Sequence, residues 1–266
     1  MKLQHIVVAT DGSVAGRGAC LVAMDLAERM SARVTVLRAV AGRRVPVGAY
    51  RDSSDAQLEH LQEWMASVPA ARGVPVRLDV EFGHPSVEIP RFAETHAADL
   101  IVIGRTPRTQ ATRFRIGDTA DALMRRSRVP CLMVPPDSPP IRRVLAAVDG
   151  SPRGSKVLRT ASGFARDIGA DLRAVIVEAT PAYDEGPSTP PVPGARAARL
   201  EHQLGASLRV RRGPIFEQVL AEIRDSGSDL LAIGTHRGGP PGVLELGSVG
   251  RHLAHAAPCP VLTIPL

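Results

Sequence analysis

The sequence predicts two tandem α/β domains, each built on a parallel sheet covered on both faces by helices. Three observations predict this. A short apolar run ending in Asp-Gly-Ser occurs twice, as Ile6-Val7-Val8-Ala9-Thr10-Asp11-Gly12-Ser13 and as Val144-Leu145-Ala146-Ala147-Val148-Asp149-Gly150-Ser151. Apolar runs of strand length alternate with amphipathic stretches of helix length, the pattern of βαβ units. A Pro-rich stretch, Pro135-Pro136-Asp137-Ser138-Pro139-Pro140, then separates the two copies, because it is too proline-dense for a helix or a central strand. The predicted organisation is a domain over 1–135, a linker over 136–141 and a domain over 142–266.

In the first domain strands are predicted near 5–10, 33–40, 74–82, 99–103 and 130–134. Helices fit near 14–30, 53–71, 86–97 and 118–127; Leu21, Met24, Leu26 and Met30 in the first and Leu58, Leu61 and Met65 in the second recur at roughly helical spacing. The second domain repeats the strands near 143–148, 171–178, 207–212, 229–233 and 260–264. Its stretch 180–206 carries five prolines and predicts a partly ordered loop, helical only over Ala195–Gln203. Asp99, Gly104, Gly117 and Pro130 answer Asp229, Gly234, Gly247 and Pro260 at one constant offset.

Composition narrows the function. Hydrophobic residues make up 44% of the chain, which marks a globular protein and not a disordered one. The apolar runs are far shorter than the ~20 residues that span a bilayer, and the N-terminus enters a strand without the regions of a signal peptide. Cys20, Cys131 and Cys259 are odd in number and lack metal-like spacing. They read as buried free thiols in a reducing cytoplasm. The net charge of +6 comes almost wholly from arginines spread along the chain, while aromatics are only 3%. That combination argues against single-stranded nucleic acid and reads as a solvated arginine-rich surface or as attraction for a small anion.

In parallel α/β sheets ligands bind beyond the carboxyl ends of the strands, where strand order reverses. That directs attention to the loops after strands one, two and four of each domain. In the second domain strand four runs into Gly234-Thr235-His236-Arg237-Gly238-Gly239-Pro240-Pro241-Gly242, and Gly247-Ser248 then opens the last helix, with Val249 next. Glycines let backbone N–H groups approach a ligand together, and a helix N-terminus favours an anion. The same residues also suit a plain Gly-rich turn with a serine cap. Asp11 and Asp149 fit either a turn or an acceptor for a nucleoside.

These residues, with the closing Pro-Cys-Pro-Val strand, resemble the universal stress protein family, and the resemblance covers nearly the whole chain twice. It implies, for each domain, a five-stranded parallel α/β fold of strand order 3-2-1-4-5. That fold is Rossmann-like, of the adenine nucleotide alpha hydrolase-like type. It also implies an intrachain pseudo-dimer in which the two fifth strands meet. Nucleotide-binding members carry Gly, two residues, Gly, nine residues, then Gly-Ser or Gly-Thr. Gly234, Gly247 and Ser248 match that motif, while Arg237 holds the second glycine position and Gly238 follows. Arginine there loses the easy positive φ of glycine but adds a phosphate donor. The resemblance also places adenine against the end of strand two, near Ala39-Val40 and Val177-Glu178.

The first domain departs further. Pro107 takes the second glycine position, and Gly117 is followed by Asp118 where the motif has a hydroxyl. Two like unit charges about 4 Å apart repel by about 1 kcal/mol in water and about 4 kcal/mol at an effective dielectric of about 20. Unless Mg²⁺ or the loop arginines compensate, Gly104, Gly117, Asp11 and Val40 mark a degenerate site. Gly150-Ser151-Pro152-Arg153-Gly154-Ser155-Lys156 imitates a phosphate-binding P-loop, but serine stands where glycine must precede the lysine. His252 and His255 share a helix face without a further metal ligand, and His84 and His96 are isolated. No catalytic residue or metal ligand is assigned. The expectation is a cytoplasmic stress-response protein that takes ATP or AMP, with or without Mg²⁺, as a regulatory ligand in its second domain. A homodimer or a regulatory protein is the expected macromolecular partner. The alternatives are an interaction scaffold without nucleotide and a weak Mg²⁺-dependent ATPase, which the absence of an evident general base disfavours.

Overall fold

The computed structural model describes residues 3–41, 47–69, 71–105, 118–178, 207–235 and 248–266. Of residues 47–53, 118, 126 and 248 it describes the backbone alone. The chain divides into two compact units, Leu3–Ser138 and a second formed by Pro139–Leu266.

The first unit runs β1 (His5–Ala9), α1 (Val14–Met30), β2 (Arg33–Val40), α2 (Val47–Ala66), β3 (Val76–Phe82), α3 (Pro85–Thr95), β4 (Leu100–Gly104), α4 (Asp118–Arg126) and β5 (Cys131–Val134). β1 lies parallel between β2 and β4, with Val8 opposite both Val36 and Val102. β3 extends the sheet beyond β2, and β5 extends it beyond β4. The order is therefore 3-2-1-4-5. The second unit runs β6 (Arg143–Val148), α5 (Pro152–Asp167), β7 (Asp171–Glu178), β8 (Ser207–Arg212), α6 (Ile215–Ser226), β9 (Leu230–Thr235), α7 (Ser248–Ala256) and β10 (Val261–Pro265). β6 lies between β7 and β9, β8 adds to β7 and β10 adds to β9, so the order repeats.

Burial explains the continuous apolar runs. Every residue of β1 and of β5 is buried, as expected of strands covered on both faces. In the first unit Val7, Leu37, Ile89, Phe92, Ile101 and Leu123 pack into one core beneath α3 and α4. The repeated aspartate at the start of strand four has a structural task. Asp99 Oδ2 accepts the N–H groups of Gln4 and His5 at 2.7 and 3.0 Å. Asp229 Oδ1 accepts those of Arg142 and Arg143 at 2.9 and 2.8 Å. Each carboxylate fixes the entry of the central strand.

Two local readings are corrected. α2 spans Val47–Ala66 instead of 53–71. Pro46 is the last proline before the helix and the single Gly48 in its first turn does not stop it, while Pro69 turns Val68 away from helical backbone. Leu21, read as part of the apolar stripe of α1, is 39% exposed, because the stripe that faces the sheet runs through Ala19, Ala23, Leu26 and Ala27. His84 and His96 have single local partners that are not metal ligands. His84 Nδ1 lies 2.7 Å from Ser86 Oγ, and His96 stacks on Phe92 with ring centroids 3.9 Å apart. The helix expected over Ala195–Gln203 lies outside the described residues.

Candidate functional site

The Asp-Gly-Ser turn forms the same way in both units. Asp149 Oδ1 accepts the N–H of Ser151 at 3.0 Å, and Ser151 Oγ accepts the N–H of Gly154 at 3.1 Å, capping α5. In the first unit Asp11 Oδ1 accepts from Ser13 at 3.0 Å, and Ser13 Oγ accepts from Gly16 at 3.2 Å. The glycine between them stands at φ +70° in Gly150 and +82° in Gly12. A side chain there costs roughly 1–2 kcal/mol. Burial pulls the Asp11 carboxyl upward, but hydrogen bonds from Ser13 and the nearby Arg38 outweigh it and hold it below its ordinary value.

The second unit opens a cavity of about 330 Å³ beyond the carboxyl ends of β6, β7 and β9. That volume sits at the lower end of the roughly 300–1,000 Å³ of small-molecule pockets. Val148, Val175, Val177 and Ile233 form its floor, with Ile215 and Val219 from α6 and Val249 and Leu253 from α7 as an apolar wall. Asp149 and Arg153 are the ionisable side chains among its lining residues, and Gly154, Val157, Gly234 and Leu266 complete that side. Such a surface suits a flat apolar body with polar edges. It brings together Asp149, Val177, Gly234 and Val249, which the sequence singled out from four separate elements.

The two strand-four glycines differ in what surrounds them. A β-carbon on Gly104 would lie 2.4 Å from the carbonyl carbon and oxygen of Ala15 and 2.7 Å from the nitrogen of Gly16. The first turn of α1 therefore rests directly on the end of β4. A β-carbon on Gly234 would instead meet Val157 Cγ2 at 2.7 Å and Leu266 Cδ1 at 2.8 Å, both side chains of the cavity. No backbone atom of α5 is among its three nearest neighbours. Side chains take the place beside β9 that helix backbone takes in the first unit.

Of the remaining singled-out residues, Val40 ends β2 opposite Phe82, and its carbonyl accepts from Gly83 at 3.0 Å. Ser248 begins α7. Arg237, Gly238, Gly247 and Gly117 lie outside the described residues, as do His236 and Pro107. The lysine of the P-loop-like heptapeptide is used elsewhere: Lys156 Nζ donates to the carbonyl of Pro265 at 3.2 Å. His252 meets Phe216 edge-on at 6.1 Å. Among the described residues no three His, Cys, Asp or Glu side chains converge as a metal site, and no helix is long and apolar enough to cross a membrane. Cys20, Cys131 and Cys259 are buried thiols that form no disulfide, and burial pushes that of Cys20 up to about 12.

Sequence reasoning missed Arg153 and the α6 wall. Arg153 stood inside the heptapeptide rejected as a P-loop. Ile215 and Val219, four residues apart, were a legible helical pair, but nothing in their spacing says that they face β7.

The universal stress protein family matches this chain twice, over residues 2–135 and 140–265. A universal stress protein of Mycobacterium tuberculosis strain H37Rv is 27% identical over 296 aligned positions, covering 98% of this chain and 97% of the relative. A shorter universal stress protein of Methanocaldococcus jannaschii is 31% identical over 138 residues, covering 49% of this chain and 81% of the relative. Among solved structures, a universal stress protein from Archaeoglobus fulgidus superposes with a TM-score of 0.78 at 18% identity, covering 100% of this chain and 99% of that one.

Proposed function

The chain belongs to the universal stress protein family, and on that premise we propose that its second unit binds an adenine nucleotide, ATP or AMP, as a regulatory ligand. The observation that carries this reading is the apolar cavity at the switch point of the second sheet, lined by Asp149, Val177, Gly234 and Val249. The base lies against Val175 and Val177. Asp149 accepts from a ribose hydroxyl or the adenine amino group while its Oδ1 keeps the turn. Gly234 and the start of α7 supply backbone donors toward the phosphates, and Gly238, Gly247, Ser248 and Arg237 belong to the same segment. Bound nucleotide favours whichever conformation holds it best and so selects the partner surface presented, either to a second copy or to a regulatory protein. Arg237 at a glycine position of the motif favours the second reading, an interaction scaffold without nucleotide.

Calorimetric titration of the intact chain with ATP and AMP, with and without Mg²⁺, separates the two. One site per chain is expected. Ser248→Asp should weaken it by about fivefold or more, since a like charge about 4 Å from a phosphate repels by about 1–4 kcal/mol. Silence of the wild-type chain toward both nucleotides leaves the scaffold.

A further inference from the structure

We propose that Arg153 reads the charge of the ligand in this cavity, so that the site takes phosphorylated nucleosides in preference to free ones. The inference rests on the nucleotide reading above. Arg153 is exposed, lines the cavity, and its side chain makes no hydrogen bond or ion pair among the described residues.

Its position has no structural motive. It lies in the first turn of α5, which carries no acidic residue. A cation there sits at the positive end of the helix dipole, the unfavourable end. The position that answers it in the first unit is Ala15, whose carbonyl packs against Gly104.

The cavity explains the difference. An anion that enters an apolar pocket needs a partner. Asp149, the other ionisable side chain of the lining, repels a phosphate. Arg153 stands four residues further along the chain and lines the same cavity. It supplies a planar guanidinium able to hold two phosphate oxygens at once. Asp149 then favours the nucleoside and Arg153 the phosphate, so opposite charges at one mouth orient the ligand.

The test is calorimetric titration of the full chain and of its Arg153→Ala and Arg153→Lys variants with AMP and with adenosine. Wild type should favour AMP, and Arg153→Ala should lose about tenfold to a hundredfold of AMP affinity while binding adenosine as before. Unchanged adenosine binding also shows that the variant is folded. Arg153→Lys should keep part of the preference, as a point charge without the fork. If Arg153→Ala keeps the wild-type ratio of AMP to adenosine affinity, Arg153 does not read the charge, although the nucleotide reading survives. If wild type binds neither compound, both readings fall.

Discussion

Replacing each strand-four glycine by alanine should have unequal consequences in the two units. In Gly104→Ala the new methyl lies 2.4 Å from the Ala15 carbonyl carbon and oxygen. Backbone cannot yield as a side chain does, so the first turn of α1 must lift. Overpacking of this kind costs typically about 1–3 kcal/mol. Neither glycine has a positive φ, so alanine also returns about 0.4–1 kcal/mol by restricting the unfolded chain. The net loss in Gly104→Ala is about 1–2 kcal/mol. In Gly234→Ala the methyl meets the ends of Val157 and Leu266 beside an open cavity. The end of Leu266 can turn aside, but Val157, buried and β-branched on a helix, yields only slightly, so the net loss is about 0.5–1 kcal/mol, smaller than in Gly104→Ala. Trp64 is the single tryptophan and belongs to α2 of the first unit, 3.8 Å from where a Gly12 β-carbon would sit. Its fluorescence therefore reports the first unit. With a urea slope near 2 kcal/mol per molar, Gly104→Ala should lower the Trp64 midpoint by about 0.5–1 M. Gly234→Ala should leave that midpoint in place and weaken nucleotide binding. Equal midpoints for Gly104→Ala and wild type would refute the claim that the backbone of α1 rests on the end of β4.

Two further outcomes are expected. Burial, with Arg33 nearby, favours neutral His5 and outweighs the His96 carbonyl and Asp99, so its pKa falls below the ordinary 6.5. The ring is buried between His96 O at 3.1 Å and Thr35 Oγ1 at 2.9 Å, while the unfolded chain takes the proton at the ordinary value. The stability His5 lends is thus complete above pH 6.5 and is lost as pH falls below it. The Trp64 urea midpoint should drop between about pH 7.5 and about pH 5.5, and less so in His5→Gln; an equal drop in both would exclude His5 as its source. Asp149→Asn keeps an oxygen to accept from Ser151 and should change stability by less than about 0.5 kcal/mol, whereas Asp149→Ala loses that bond and about 0.5–1.5 kcal/mol. Both should alter nucleoside binding; unchanged adenosine affinity in Asp149→Asn would show that the carboxylate serves the turn only.

Most of the scaffold was legible because its rules are local or periodic. Strands buried on both faces announce themselves as apolar runs, and Asp-Gly-Ser announces a strand-to-helix turn. The cavity floor was legible too, since topology alone sends the ends of β6, β7 and β9 to one place. Distance between elements was not. Gly104 and Gly234 are the same letter at matching positions, and only the packing of α1 and α5 separates them. The charge exchange at the sheet edges was equally hidden. In the first unit β3 carries the acids, and Glu81 pairs with Arg91 of α3 at 3.0 Å. In the second, β8 carries the arginines, and Arg211 pairs with the buried Glu222 of α6 at 2.6 Å. Each half looks merely charged until strand and helix are laid together.

The duplication therefore calls for two explanations. Residues shared by the halves, the Asp-Gly-Ser turn and the aspartate that opens strand four, each satisfy backbone N–H groups in both units, and this alone accounts for their recurrence. A carboxylate kept for a turn is weak testimony for a ligand. Residues that differ carry more. Where the first unit has Thr10, whose hydroxyl accepts the N–H of Gly12 at 3.0 Å, the second has Val148 on the cavity floor. Where the first has Ala15 against the strand end, the second has Arg153 beside open space. Each exchange replaces a contact within the first unit by a residue that lines the cavity of the second. The case for a ligand thus rests less on the motif repeated between the halves than on the positions at which the repeat was broken.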